Sequence, residues 1–422
     1  MREIYSFIFY LVTPLLLLKL WRRGKLSPAY RQRIKERFGY ASVTTTSPPL
    51  WVHAVSVGET VAIAPVLKRL LAQQPELAIL ITTSTPTGAD RVATLFADLP
   101  QVIHQYCPYD QPLAVNKFLQ THTPIGLLIV ETELWPNMLA QCKRRNIAVL
   151  LANGRMSEKS AAGYRKLAPM TRVMMQQIDV LVAQYPTDGE RFKALGLASE
   201  KLVVSGSIKF DLQLAENTLA EAKVLRQTIG VRPVIILGSS HRTEEQGVFE
   251  LLPELWRQCP TLMLMVVPRH PERFTEVYEL AKQYSTQVVR RSKANVSDTC
   301  QIYLGDTMGE LAVMYAAADL AIVGGSFVAL GGQSPIEPAA VGKGVLMGPE
   351  QFNFSVICPE LEAAGGLHTC KDFSALQEQL TRLLAEPEKV KEMGVKAEHY
   401  YLSQRGASDI LLAKIRQVLL VK

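Results

Sequence analysis

From Leu50 onward the chain repeats one pattern: a short apolar run ending in a polar turn, then a stretch whose apolar residues recur every three or four positions. The runs Leu50–Val55, Leu77–Thr82, Pro124–Val130, Ala148–Ala152 and Val180–Ala183 contain no Asp, Glu, Lys or Arg, as strands buried on both faces require. Strands alternating with helices pair in parallel, with the helices covering the sheet. A second series starts at Pro233–Leu237 and continues through Leu262–Val267, Gln301–Leu304 and Leu320–Val323. A polar, helix-like connector from about Leu212 to Ile229 separates the two series. The expected fold is therefore α/β, with two consecutive halves of similar size, and 422 residues suffice for more than one core.

In an open α/β sheet, ligands bind in the crevice at the carboxyl ends of the strands, so the turns after the apolar runs are where chemistry is sought. Trp51 to Thr60 passes from a strand into a helix whose buried face is marked by Ile63, Val66, Leu67, Leu70 and Leu71. Pro65 is expected in that helix's first turn. Glu59, at the junction, is either a catalytic carboxylate or a residue that favours the positive end of the helix. Glu131 and Glu133 follow the run Pro124–Val130; if the strand continues they face opposite sides, and only one shares a crevice with Glu59. Lys209, in Gly206 to Asp211, offers a cation for developing negative charge, or is an ordinary exposed lysine. His53, flanked by apolar residues, reads as a satisfied core histidine.

The second half carries the glycine-dense stretch Gly324 to Pro338, after the run Leu320–Val323 and before a helix. Glycines let a phosphate approach the backbone, a helix start offers unpaired N–H donors, and Glu337 is placed to accept from ribose hydroxyls. The stretch is neither G-x-G-x-x-G nor a P-loop, which disfavours dinucleotides and ATP, and tight turning alone is the plain alternative. Arg269 in Pro268 to Phe274 can fork onto a phosphate with His270 beside it, or form a structural salt bridge. Met308, Gly309 and Glu310 form a weaker pattern, a glycine beside an acidic helix start.

A net charge of +7 invites a nucleic-acid reading, but its distribution argues otherwise. Eight Lys and Arg against Glu36 between Lys19 and Arg37 account for all of it, so residues 38–422 sum to zero. A nucleic-acid groove spreads its charge over the fold, whereas a basic block beside an apolar run faces anionic lipid. That run, Ile4 to Leu18, lacks charge; its basic cluster follows it rather than preceding it, and no small-residue site of a cleaved signal appears. It is expected to be an uncleaved anchor that spans the membrane or, given Pro14 and Lys19, lies in its interface, with the remainder on the cytoplasmic side. Six scattered cysteines without a CxxC pair argue against zinc or a disulfide framework.

Taken with WVHAVSVGE (51–59), TPTG (85–88), ETELWPN (131–137), SAAGY (160–164), GSIKFD (206–211), PRHPERF (268–274), GDTMGEL (305–311) and the GGS…GG…EPA block, the chain closely resembles the bacterial 3-deoxy-D-manno-octulosonic acid (Kdo) transferases of lipopolysaccharide assembly. The resemblance spans nearly the whole chain. It implies a GT-B glycosyltransferase: two Rossmann-like domains facing each other across a cleft, behind an N-terminal membrane anchor helix. The expected divisions are an anchor with its basic flank at 1–25, an acceptor domain at 26–211, a linker at 212–231 and a CMP-sugar domain at 232–390, with a helix at 391–422 able to pack back on the first domain.

The resemblance further implies an inverting transfer of Kdo from CMP-Kdo to a hydroxyl of a lipid A precursor, lipid IVA, at the inner membrane, with no metal or other cofactor and no nucleic acid. In it Glu59 is the general base, and Glu131 and Lys209 steady charge in the transition state. Pro268, Arg269, Met308, Gly309, Glu310, Ser334, Pro335, Ile336 and Glu337 hold CMP. Two positions depart from the family's wording: Gln333 and Glu350 stand where it usually writes His. A paralogue altered there, acting as a membrane-tethered nucleotide-sugar binding or assembly protein, is the competing reading.

Overall fold

A computed structural model describes residues 1–25, 27–212, 214–294 and 296–420. The chain forms two compact units, Met1–Asp211 with Arg405–Lys422, and Leu212–Gln404.

The first unit is built on a parallel sheet of β1 (Leu50–His53), β2 (Ile79–Thr83), β3 (Val102–Tyr106), β4 (Gly126–Val130), β5 (Ala148–Gly154), β6 (Val180–Ala183) and β7 (Leu202–Val204), ordered β3-β2-β1-β4-β5-β6-β7. Because side chains alternate across a strand, each run feeds both faces. Trp51, Leu127, Ile129, Val149 and Leu151 enter one core, and Val52, Leu128, Val130, Leu150 and Ala152 enter the other. Both faces are covered, which is why the strands read as unbroken apolar runs. Strand order reverses between β1 and β4, so a crevice opens beyond their carboxyl ends.

Helix α2 (Val57–Gln73) follows β1 and is capped by Ser56, whose hydroxyl accepts from the Glu59 N–H at 3.3 Å. Ile63, Val66, Leu67, Leu70 and Leu71 are all buried, as their spacing predicts. Pro65 is not in the first turn but mid-helix, a position that deprives the Val61 carbonyl of its donor. Val61 is exposed, so the interruption falls on the solvent side of the helix, which runs on to Gln73. The second core is closed by the helix Ala407–Leu419, which brings Leu411, Leu412, Ile415 and Leu419 to it. A Cβ on Gly126 would stand about 3.0 Å from the Leu419 side chain, so a side chain at the start of β4 would crowd this helix. Asp211 fixes that helix's start by accepting from the N–H groups of Gly406 (2.8 Å) and Ser408 (2.6 Å). Val421 and Lys422, the last residues of the helix expected at 391–422, lie outside the described residues.

Helix α1 (Arg2–Arg23) is long and apolar enough to cross a membrane. Its pattern is inverted relative to a soluble helix. Ser6 and Thr13 are buried against the first unit, while Ile4, Phe7, Ile8, Leu11, Leu15 and Leu18 are exposed. The seam is polar: Ser6 bonds Asn137 at 3.1 Å, and Gln111 donates to Thr13 at 2.6 Å.

The second unit repeats the plan with β8 (Val234–Ser240), β9 (Met263–Pro268), β10 (Val288–Arg290), β11 (Ile302–Leu304), β12 (Leu320–Val323), β13 (Gly344–Met347) and β14 (Leu367–Thr369), ordered β10-β11-β9-β8-β12-β13-β14. Its reversal lies between β8 and β12. Residues beyond Leu212 lead into the helix Thr218–Ile229, whose Ala222, Leu225 and Ile229 are part of this unit's core.

Candidate active site

At the reversal point of the first sheet, Glu59 hangs from the first turn of α2 and Glu131 leaves the end of β4. Glu59 is 8% exposed. One of its oxygens accepts from the Val55 N–H at 2.7 Å and the other from the Ser56 hydroxyl at 2.8 Å. A carboxylate offers about four acceptor sites, so each oxygen keeps a free lone pair. Burial pushes its pKa up, and the nearby Glu131 carboxylate adds to that against the bonds from Ser56 and Val55. The residue thus caps the helix and also retains a basic oxygen in a poorly solvated place.

Glu131 is in the left-handed region with φ 60°, a conformation costly for a residue with a side chain. Its N–H still bonds the Ala152 carbonyl at 2.8 Å, so the strand ladder ends on it and the chain then turns away. Lys209 lies 3.1 Å from the Glu131 carboxylate. Asn153, at the end of β5 and also left-handed with φ 55°, sets this up by accepting from the Ile208 N–H at 3.2 Å.

The expectation that only one of Glu131 and Glu133 shares the crevice with Glu59 is overturned. The left-handed turn at Glu131 ends the alternation on which it rested, and both carboxylates interact electrostatically with Glu59. Glu133 accepts from the Trp135 indole at 3.1 Å. Burial, then Glu59, pushes its pKa up to about 7. Glu59 and Glu133 are thus both pushed toward the protonated form, first by burial and then by neighbouring carboxylate charge. His53 is a core residue as expected: 1% exposed, bonded to Thr82 at 3.0 Å, and with its pKa lowered by burial to about 4.

A pH dependence follows. Glu133 holds its proton more tightly folded than unfolded, so its stabilising contribution is complete below the ordinary value of 4.5 and is lost as pH rises through about 7. Glu133→Gln keeps an acceptor for Trp135 and removes the titration. The variant is expected to melt above the parent at pH 8 and close to it at pH 4.5; scanning calorimetry at both pH values checks this.

In the second unit the residues singled out for a nucleotide lie at or beyond the ends of β9, β11 and β12, and of these Arg269 and Glu337 are near enough for their charges to interact. Pro268 ends β9, and Arg269 follows it, exposed. Glu337, at the start of the short helix Ile336–Ala340, has its pKa raised by burial and opposed by the Arg269 charge. Ser334 is half-buried, Pro335 is buried as the residue capping that helix, and Ile336 is buried. Met308 is 67% exposed, Gly309 takes φ +84°, and the Glu310 carboxylate forks onto Arg291, with one contact at 2.8 Å.

The first glycine doublet differs from expectation. The N–H groups of Gly325 (2.7 Å), Ser326 (3.0 Å) and Phe327 (3.0 Å) are not free for an anion, because they donate to the Glu244 carboxylate. Glu244 is fully buried in the first turn of the helix Arg242–Gln258, and it also accepts from the His241 N–H at 3.1 Å. Sequence reasoning missed both residues. The available signal was an N-terminal cap three residues before a glutamate, His241 to Glu244, ahead of an apolar helix. The Gln333 backbone continues the turn by donating to the Gly324 carbonyl at 2.9 Å, and the Glu350 N–H donates to the Ser326 carbonyl at 2.9 Å. At both positions that depart from the family's wording, the main chain therefore holds the loop regardless of side chain.

The profile of the family described as 3-Deoxy-D-manno-octulosonic-acid transferase (kdotransferase) matches residues 32–212. A 3-deoxy-D-manno-octulosonic acid transferase of Haemophilus influenzae is 37% identical over 423 residues, covering 99% of this chain and 99% of its own. One from Bordetella pertussis is 34% identical over 419 residues, covering 96% and 97%. Among solved structures, the UDP-GlcNAc 2-epimerase of Neisseria meningitidis bound to UDP-GlcNAc aligns with a TM-score of 0.57 at 15% identity, covering 87% of this chain and 99% of that one. That likeness concerns the fold.

Proposed function

Since this chain belongs to the Kdo transferase family and has the paired parallel sheets of a GT-B glycosyltransferase, we propose that it moves Kdo from CMP-Kdo to a hydroxyl of a lipid A precursor, lipid IVA, during lipopolysaccharide synthesis. The observation that carries the reading is the meeting of Glu59, Glu131 and Lys209 around the reversal point of the first sheet in a chain so similar to Kdo transferases along its full length.

In this mechanism Glu59 takes the proton of the attacking lipid hydroxyl. The new C–O bond forms at the anomeric carbon from the face opposite CMP, the bond to CMP breaks, and CMP leaves with that electron pair, which inverts the centre. A positioned base contributes roughly 10²–10⁴-fold to such a step. Lys209, tied to Glu131, offsets the negative charge that develops as CMP departs. Arg269 and the backbone around Met308 to Glu310 and Ser334 to Glu337 hold the nucleotide. Helix α1 and the basic stretch from Lys19 to Arg37 keep the enzyme on the cytoplasmic face of the inner membrane, where a soluble donor and a lipid acceptor meet.

The test is incubation of the purified protein with CMP-Kdo and tetra-acylated lipid A precursor in mixed micelles, with product masses read out. Products heavier by whole Kdo residues bear out the reading. Release of CMP and free Kdo without a heavier lipid would replace it with hydrolysis, and CMP binding without turnover would favour the assembly-protein reading.

A further inference from the structure

Between α1 and the strand-end loops of the first unit lies a cavity of about 430 Å³. Its α1 wall is the inward face of the helix. Ser6, Phe9, Thr13, Leu16 and Leu20 recur at steps of three and four, so the face docked through Ser6 and Thr13 continues as the lining. Farther along, the lining turns cationic with Lys19 and Arg23. The opposite wall includes Arg37, Ser84, Thr85 and Trp135.

Arg37 is unusual. It is 5% exposed, yet among the described residues no carboxylate lies within ion-pair distance of it. One terminal nitrogen donates to the Ser84 carbonyl at 3.0 Å, and the guanidinium lies over the Tyr106 ring at 4.4 Å, but its Nε has no acceptor. A buried cation without a counter-charge is costly, and such a group calls for an explanation. Its neighbour Glu36 is taken by Arg33, Ser42 and the Tyr106 N–H, and Asp110, across the cavity, is taken by the N–H groups of Asn137 and Met138. Lys19 and Arg23 likewise have no ion-pair partner among the described residues. Three cations and an apolar helix face in one cavity match a single kind of ligand: an amphiphile carrying a phosphate.

Trp135 says which amphiphile. Trp135 lines the cavity while its indole donates to Glu133, whose charge interacts with that of Glu59. We propose that this cavity binds a phosphate of the lipid acceptor, with Arg37, Lys19 and Arg23 on the phosphate and Phe9, Leu16 and Leu20 along an alkyl chain, leaving a sugar hydroxyl toward Glu59. The proposal rests on the transferase reading above and adds the acceptor's seat to it. It also gives the inverted pattern of α1 a use, because the inner face serves the substrate while the outer face meets lipid.

The test compares acceptor KM in neutral-detergent micelles for the phosphorylated acceptor and for the same lipid after phosphatase treatment. Lys19→Gln with Arg23→Gln, both on the exposed edge of α1, is expected to raise KM for the phosphorylated lipid about ten-fold or more, as loss of charge-assisted bonds to phosphate does. KM for CMP-Kdo and for the dephosphorylated lipid stays near the parent's. Arg37→Gln, which keeps a donor for Ser84, is expected to act in the same way. Lys68→Gln with Arg144→Gln, exposed residues outside both the cavity and the basic stretch, removes the same charge and is expected to shift KM no more than about two-fold. Equal effects of the two pairs, or equal penalties on both forms of the lipid, overturn the proposal. So does a penalty that appears only when phosphatidylglycerol is added to the micelles, which would assign the cavity to a bulk anionic phospholipid. A parent protein that transfers no Kdo at all is the separate failure of the transferase reading.

Discussion

Glu59→Gln is expected to reduce Kdo transfer by roughly 10²–10⁴-fold while leaving CMP binding and the melting temperature close to the parent's. The substitution separates the residue's two roles. Its carbonyl oxygen still accepts from the Val55 N–H, and the Ser56 hydroxyl can turn to accept from the new amide, so the start of α2 stays capped. What disappears is the ability to take a proton. Glu59→Ala removes the cap as well, and the difference between the two variants in thermal stability measures the structural share. Product-mass kinetics on the lipid A precursor, with CMP titration calorimetry alongside, are the measurements. Transfer by the glutamine variant within a few-fold of the parent would remove Glu59 as the base.

The largest expected loss of stability is at Glu244. Glu244→Ala withdraws the acceptor of four backbone N–H groups, those of His241, Gly325, Ser326 and Phe327, at a fully buried position. Each abandoned buried donor costs about 1–3 kcal/mol, and the expected total of about 4 kcal/mol or more is of the size seen only when a central structural group is lost. Glu244→Gln fills the same space but turns an NH₂ toward those donors, and is expected to fall between parent and alanine. Urea unfolding, followed by a probe in the second unit, reads the ranking. If the alanine variant unfolds at the parent's midpoint, this carboxylate does not hold the glycine turn.

The contrast between these two glutamates shows what a sequence displays and what it hides. Glu59 stood out because an apolar strand ran directly into a helix with a clean buried face, and both of those patterns are local. Glu244 occupies the equivalent place after β8, but three of its four partners are 81 to 83 residues away, and no local pattern names them. The strands legible as apolar runs were the central ones. β3, β10 and β14 are edge or near-edge strands with partly exposed residues, and β13 is interrupted at its start by glycine. Pro65 and the Glu131 turn misled for a shared reason: in each case the backbone departs from the rule for its element, at a solvent-facing turn of α2 for Pro65 and on a last ladder bond for Glu131. The apolar run at the amino terminus announced a membrane segment, whereas its docking through Ser6 and Thr13 depends on a surface formed by residues about a hundred positions later.

The helix Ala407–Leu419 belongs to the first unit, although the whole second unit separates it from the rest of that unit along the chain. During synthesis, therefore, the first sheet leaves the ribosome with part of one face uncovered, and the core that holds Leu128, Val130 and Ala152 lacks Leu411, Ile415 and Leu419 until residues beyond Arg405 have been made. The second unit, continuous from Leu212 to Gln404, has no such wait. Order of emergence and order of completion are thus opposite, and a nascent chain has its second unit finished before the unit that carries Glu59.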